Sequence, residues 1–280
     1  MTSAPTGVAT RKPRAAATAQ PSLLAQLAAA LAARRIRIVD LTQTLTPDFP
    51  QIALPPEMGQ CWPFRIEEIS AYDARGPGWY WNNFSCGEHT GTHFDAPIHW
   101  ISGRDLANNS VDTIPAQHFV APACVIDCSA EAAADPDYCL SVEDVRAFEA
   151  EHGALPEGGW LFLRTGWDTR ANDSDAFLNA GSGMPQTPGF DSECARYIAH
   201  DTPLVGVGVE TVGIDAGGAG AFDPPFPVHN YLLGAGKYGV TQLANLAKLP
   251  ATGALVVVAP MKLVGGTGSP VRVLALVPKA

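Results

Sequence analysis

The stretch that governs the reading of this chain is His89-Thr-Gly-Thr-His-Phe-Asp-Ala-Pro-Ile-His99, which gathers three of the seven histidines and a carboxylate into eleven residues. His89, Gly91, His93 and Asp95 share parity, so an extended segment would carry all four on one face. Gly91 and Pro97 argue against a continuous helix, although His89 and His93 alone also satisfy helical i, i+4 spacing. Two imidazoles and one carboxylate make a mixed nitrogen and oxygen donor set suited to a borderline divalent cation such as zinc or manganese, with positions left open for water. Burying these groups together without a cation would leave several polar atoms in need of partners. His99, beyond the Pro97 bend, is then free to accept or shuttle a proton.

Outward from this segment the chain reads as alternating strands and helices. Arg35-Ile-Arg-Ile38 alternates as a half-buried strand, and apolar runs at Phe119–Cys128, Trp160–Thr165, Leu204–Val209 and Ala254–Ala259 are bounded by Gly, Pro or Asp. Helices are predicted from Ser22, as cap, to the Arg34-Arg35 pair, from Ser141 to about His152 with Asp144 completing a near capping box, over Ser192–His200, and over Val240–Leu246. Leu263 to Val273 reads as two strands joined by a Gly-rich turn from Gly265 to Ser269, a loop that could also line a site. Its Gly265-Gly-Thr-Gly268 run lacks the strand-turn-helix context of a phosphate-binding loop. Residues 1 to about 20 are small, polar and Pro-interrupted, which predicts a disordered tail before one domain over 21–280.

Composition narrows the function. Hydrophobic residues make up 46% and charged residues 16%, with 27 Gly and 24 Pro, so a packed core with elaborate loops is expected. Eighteen basic against 28 acidic residues give a net charge of −10, which disfavours a phosphate backbone as partner. No apolar run approaches the ~20 residues that span a bilayer. Six cysteines without a Cys-x-x-Cys pair suit reduced thiols and a cytoplasmic location.

The His89–His99 segment matches, at His89, Gly91, Thr92, His93, Asp95, Pro97 and His99, the His-x-Gly-Thr-His-x-Asp-x-Pro-x-His signature of the cyclase-like metal hydrolases, a family that includes bacterial kynurenine formamidases and isatin hydrolases. The resemblance continues through Asp40-Leu-Thr42, Arg164-Thr-Gly-Trp167 and the stretch from Gly206 through His229 to Leu246. It implies an α/β fold of the swivelling β/β/α type, a single domain of mixed sheet with flanking helices that usually forms homodimers or larger assemblies. It also implies His89, His93 and Asp95 as ligands of one divalent ion, Mn2+ or Zn2+, with His99 and His229 as catalytic histidines. In the formamidases a Glu twelve positions after the second of these histidines joins it on a second metal; here that place is Thr241, with Gln242 beside it.

Loss of that Glu, with Gly78-Trp-Tyr-Trp-Asn-Asn83 and the Glu210–Ala216 and Pro224–Pro227 stretches, resembles the isatin hydrolase branch. Trp79 and Trp81 would share one face of an extended segment and could hold a planar aromatic substrate, with Phe49 and Gln242 completing the expected substrate-binding set. The expected activity is opening of a cyclic amide, isatin to isatinate, by metal-activated water. N-formylkynurenine hydrolysis is the alternative within the class. Outside it stand a non-haem iron oxygenase using His93, Asp95 and His229, which would leave only Lys237 as a nearby cation for an oxoacid, and a non-catalytic metal-dependent binding protein. Arg164 reads as either a carboxylate-binding group or the partner of a structural Asp, and Glu210 and Asp215 read as structural hydrogen-bonding groups ahead of a catalytic role.

Overall fold

Trp160-Leu-Phe-Leu-Arg164 shows how the core is divided. Its odd and even side chains leave opposite faces of a strand, so Trp160 and Phe162 enter one apolar cluster while Leu161 and Leu163 enter another. In the computed structural model, which describes residues 21–54, 56–181 and 185–279, both clusters are built on a single sheet. The predicted tail at residues 1–20 lies outside the described residues.

The strands in chain order are β1 (Ile36–Asp40), β2 (Arg65–Asp73), β3 (Gly76–Ser85), β4 (His93–Asp95), β5 (Val120–Asp127), β6 (Cys139–Leu140), β7 (Trp160–Arg164), β8 (Gly189–Phe190), β9 (Gly206–Val209), β10 (Tyr238–Thr241), β11 (Ala254–Pro260) and β12 (Gly268–Pro278). The helices are α1 (Leu23–Ala32), α2 (Ser129–Ala134), α3 (Val142–His152), α4 (Ser174–Leu178) and α5 (Ser192–His200). The main sheet runs β1-β12-β11-β5-β7-β9-β10-β4, and β4 pairs back onto β12, closing it. Strands β5, β7, β9 and β10 are mutually parallel, whereas β4, β11 and β12 join their neighbours antiparallel. The expected mixed α/β domain is what the chain forms.

Closure explains the two cores. Inside the closed sheet lie Phe94, Val125, Trp160, Phe162, Val240, Val256 and Val273 among others, while α3 and α5 cover the outside through Val145, Phe148 and Ile198 packed on Leu161, Leu163 and Val207. Ser141 caps α3 as read from sequence: its hydroxyl accepts from the Asp144 backbone N–H, and the Asp144 side chain accepts from the Ser141 N–H. The half-buried Lys237 donates from Nζ to the carbonyls of Ile198 and Thr202 at the end of α5.

Three local expectations are corrected. Val240–Leu246 is not a helix: Tyr238–Thr241 is the fully buried strand β10, whose run without polar alternation, together with Leu243 and Leu246, imitates helical spacing. The Gly-rich turn does lie between two strands, but the one before it, β11, ends at Pro260 rather than at Leu263, and the one after it, β12, already begins at Gly268 within the expected turn. The signature is not one ribbon either. Gly91 turns at φ +64, and only His93–Asp95 is a strand, so the shared parity of His89 with Asp95 is not what brings them together.

Candidate active site

Strand β4 places the site by alternation. Phe94 points into the closed core against Phe119, Trp160 and Tyr238, which sends His93 and Asp95 to the opposite side. Neighbouring strands lock the register, with His93 opposite Thr241 on β10 and Pro270 on β12. Thr92, just before, donates its hydroxyl to the Gln242 carbonyl at 2.6 Å and accepts from the Gln43 N–H at 2.9 Å. The short helical turn Pro97–His99 then returns His99 so that its ring stacks on His89 at 3.9 Å between centroids.

The donor geometry converges on Asp95, which is buried and whose Oδ1 lies 2.8 Å from His89 Nδ1 and 3.4 Å from His93 Nε2. His93 Nδ1 faces the Gly91 carbonyl at 2.8 Å, and a carbonyl only accepts, so Nδ1 carries the proton and Nε2 the lone pair. A lone pair is thus turned toward a carboxylate oxygen. Burial alone would raise the Asp95 pKa, but the His93 and His89 rings hold it well below the usual carboxylate range. Two acceptors facing each other in a buried place call for a cation between them. Donors about 2.0–2.2 Å from a shared divalent ion stand roughly 3 Å apart, which is the spacing found, so these residues fit such an ion. His99 joins from the other side: His89, Asp95 and His99 each offer a ligand atom within 4.8 Å of one another.

His229 is brought in from a wide helical turn, Val228–Leu233. Its ring lies 5.5 Å from that of His99 and 4.8 Å from that of Trp100. Asp215, read from sequence as structural, holds it: Asp215 Oδ2 is 2.5 Å from His229 Nδ1 and accepts the His229 backbone N–H, while Oδ1 accepts that of Val228. Burial works against charge on His229, yet the hydrogen bond and charge of Asp215 outweigh it and raise the pKa. The opposite holds for His99, which burial pushes down to about 3.

Beside His229 lies a cavity of about 160 Å³ with a largely apolar wall, including Ile52, Leu178, Val212 and Phe226, and with Asp215 as its acidic side. Phe49 is buried behind this wall, in a small cluster with Trp167 and Phe177 against which Leu178 and Val212 pack. Gln242 is buried, donates Nε2 to the Val212 carbonyl at 3.3 Å, and leaves Oε1 without a partner. Trp79 and Trp81 stand half-exposed on the β2–β3 hairpin and do not form the cavity wall; the side chains of β3 from Pro77 to Trp81 are exposed without the expected alternation. Trp100 is the indole beside the histidines, and nothing in the sequence but its place after His99 marks it.

The remaining candidates resolve into structure. Arg164 is ion-paired with Asp127. Glu210 Oε2 receives the backbone N–H groups of Thr165, Gly166 and Trp167 and the Thr165 hydroxyl, bracing that turn. Thr241, at the place of the formamidase Glu, puts its hydroxyl 3.0 Å from His93 Nδ1. Lys237, tied to two carbonyls, is not a free cation for an oxoacid. Among the described residues no helix is long and apolar enough to cross a membrane.

Residues 39–216 match the family model described as "Putative cyclase". The chain is 47% identical over 260 residues to an isatin hydrolase of Roseibium aggregatum, covering 92% of this chain and 98% of that one. It is 28% identical over 190 residues to a kynurenine formamidase of Salinibacter ruber, covering 66% and 74%. A crystal structure of an isatin hydrolase bound to the product analogue thioisatinate superposes with a TM-score of 0.89 at 47% identity, over 91% of this chain and 98% of that one. With a closed mixed sheet that carries the His and Asp cluster on the side away from its core, and a family match over more than half its length, the chain belongs to the cyclase family.

Proposed function

We propose that this protein is a metal-dependent hydrolase that opens the cyclic amide of isatin to give isatinate. The observation that carries the reading is the convergence of His89 Nδ1 and His93 Nε2 on Asp95 Oδ1, at 2.8 and 3.4 Å, with His229 lining a largely apolar cavity nearby. Identity to an isatin hydrolase over nearly the whole chain supports the substrate.

In this reading His89, His93 and Asp95 hold one divalent ion, Mn2+ or Zn2+. Such an ion supplies Lewis acidity, lowering the pKa of water and polarising an amide carbonyl. The chain's own residues do the rest. His99 accepts at a ring nitrogen the proton of the water that attacks the carbonyl next to the ring nitrogen, and returns it to that nitrogen as the C–N bond breaks. One water is consumed, and the single ring-opened product carries both a carboxylate and an aryl amine, the proton of the new carboxylic acid leaving to solvent. His229, with Nδ1 committed to Asp215, has Nε2 as its free ring nitrogen and presents it to the substrate. The apolar wall takes the planar ring, and Gln242, donating to the carbonyl of Val212 in that wall, supports it from behind.

Trp79 and Trp81 join the substrate from a neighbouring subunit in a homodimer. The half-exposed hairpin aromatics, together with the exposed Leu23 and Leu24 of α1, are the apolar surface that a second copy would cover. Six free thiols suit a cytoplasmic setting.

The test is turnover of isatin and of N-formylkynurenine by one purified sample, run anaerobically before and after exhaustive chelation and again after Mn2+ or Zn2+ is restored. Anaerobic isatin opening that chelation abolishes and metal restores is the expected result. Preference for the formamide, or a rate untouched by chelation, overturns it.

A further inference from the structure

The Gly265–Gly268 turn, which fits no phosphate-binding pattern, is packed directly on the signature. The Ala96 N–H donates to the Thr267 carbonyl at 2.9 Å, and a Cβ placed on Gly268 would come within 2.6 Å of His89 Cε1 and 2.4 Å of the Phe94 carbonyl oxygen. A side chain at 268 would therefore displace the His89 ring or the strand. The turn ends in a polar contact that the reaction as described does not use. Thr267 Oγ1 lies 2.5 Å from Glu88 Oε2 and 2.9 Å from His89 Nε2, and the Thr267 backbone N–H also reaches Glu88 Oε2 at 3.2 Å.

Proton counting settles the direction of this chain. A threonine hydroxyl has one proton, and at 2.5 Å from a carboxylate oxygen that proton goes to the carboxylate, the strongest acceptor present. Thr267 Oγ1 then has only lone pairs left for His89, so His89 Nε2 must be the donor. A neutral imidazole protonated at Nε2 carries its lone pair at Nδ1, the nitrogen that stands 2.8 Å from Asp95 Oδ1. We propose that Glu88 and Thr267 are positioning residues that fix His89 in its Nε2–H form and turn Nδ1 to the metal. This rests on the metal reading above and adds what sets one ligand's tautomer, as the Gly91 carbonyl does for His93.

Two measurements on the whole protein test it. In the Zn2+-loaded wild type with 15N-labelled histidine, His89 is expected to show a protonated Nε2 and a metal-shifted Nδ1; a protonated Nδ1 overturns the proposal. Zn2+ affinity, by competition with a chromophoric chelator, is expected to fall about 10- to 100-fold in Thr267→Val and to stay within about threefold of wild type in Thr267→Ser, which keeps the hydroxyl. Thr267→Val binding Zn2+ within about twofold of wild type overturns the relay while leaving the metal site standing. A wild type that takes up no Zn2+ at one per chain is a different failure, that of the metal reading itself. Should Thr267→Val not fold, the wild-type histidine spectrum still decides.

Discussion

Asp215 holds His229 at two points: its Oδ2 lies 2.5 Å from the ring Nδ1 and 3.1 Å from the backbone nitrogen of the same residue. The ring is therefore oriented by one carboxylate, which also favours its protonated form. Because the His229 pKa is raised in the fold, its contribution to stability is fully present below the unfolded value of about 6.5 and is lost as pH rises through the higher folded value. Asp215→Asn is expected to lower the unfolding free energy of the metal-free protein most under mildly acidic conditions and least well above neutrality, as read from denaturant titrations across pH. A pH-independent remainder will persist from the Val228 and His229 N–H groups. Turnover should fall at least about tenfold, since the ring loses its orienting partner.

His99→Ala separates chemistry from metal binding. Its ring stacks on His89 without contributing to the set of three ligands proposed here, so metal content by elemental analysis should persist while kcat drops about 100-fold or more. Unchanged turnover would remove His99 from proton transfer.

Phe94 is fully buried between two site residues and packs on Phe119, Trp160 and Tyr238. Phe94→Ala is expected to cost about 3–5 kcal/mol in chemical denaturation, and to weaken metal binding as well, because β4 loses the anchor that keeps His93 and Asp95 turned to the site.

Trp79 and Trp81 are 53% and 55% exposed in the single chain. If a second subunit covers the hairpin, the double variant Trp79→Ser with Trp81→Ser should shift the mass measured by light scattering toward the monomer and raise KM for isatin. An unaltered mass and KM would leave these rings without a part in either.

How much was legible follows from separation along the chain. Trp160–Arg164 was readable as a strand and Ser141 as a cap, because both signals lie within a few residues. Tyr238–Thr241 was not readable as a strand, since a strand buried on both faces has no polar alternation. Arg65–Ser85 was not read as a hairpin either; its apolar side chains lie exposed, so no buried face marked the strands.

The donor types, their order and the histidine proposed to accept the proton are read from the sequence itself. Imidazole and carboxylate are donors suited to a divalent ion by their own chemistry, so their clustering within eleven residues is legible before any fold is known. Only the folded molecule decided that Asp215 orients His229, that Trp100 rather than a hairpin indole lies beside the histidines within one chain, and that Glu88 meets Thr267 across 179 positions. The last of these contacts exists because β12 returns to pair with β4 and closes the sheet, and no local pattern encodes which distant loop that closure will press against His89.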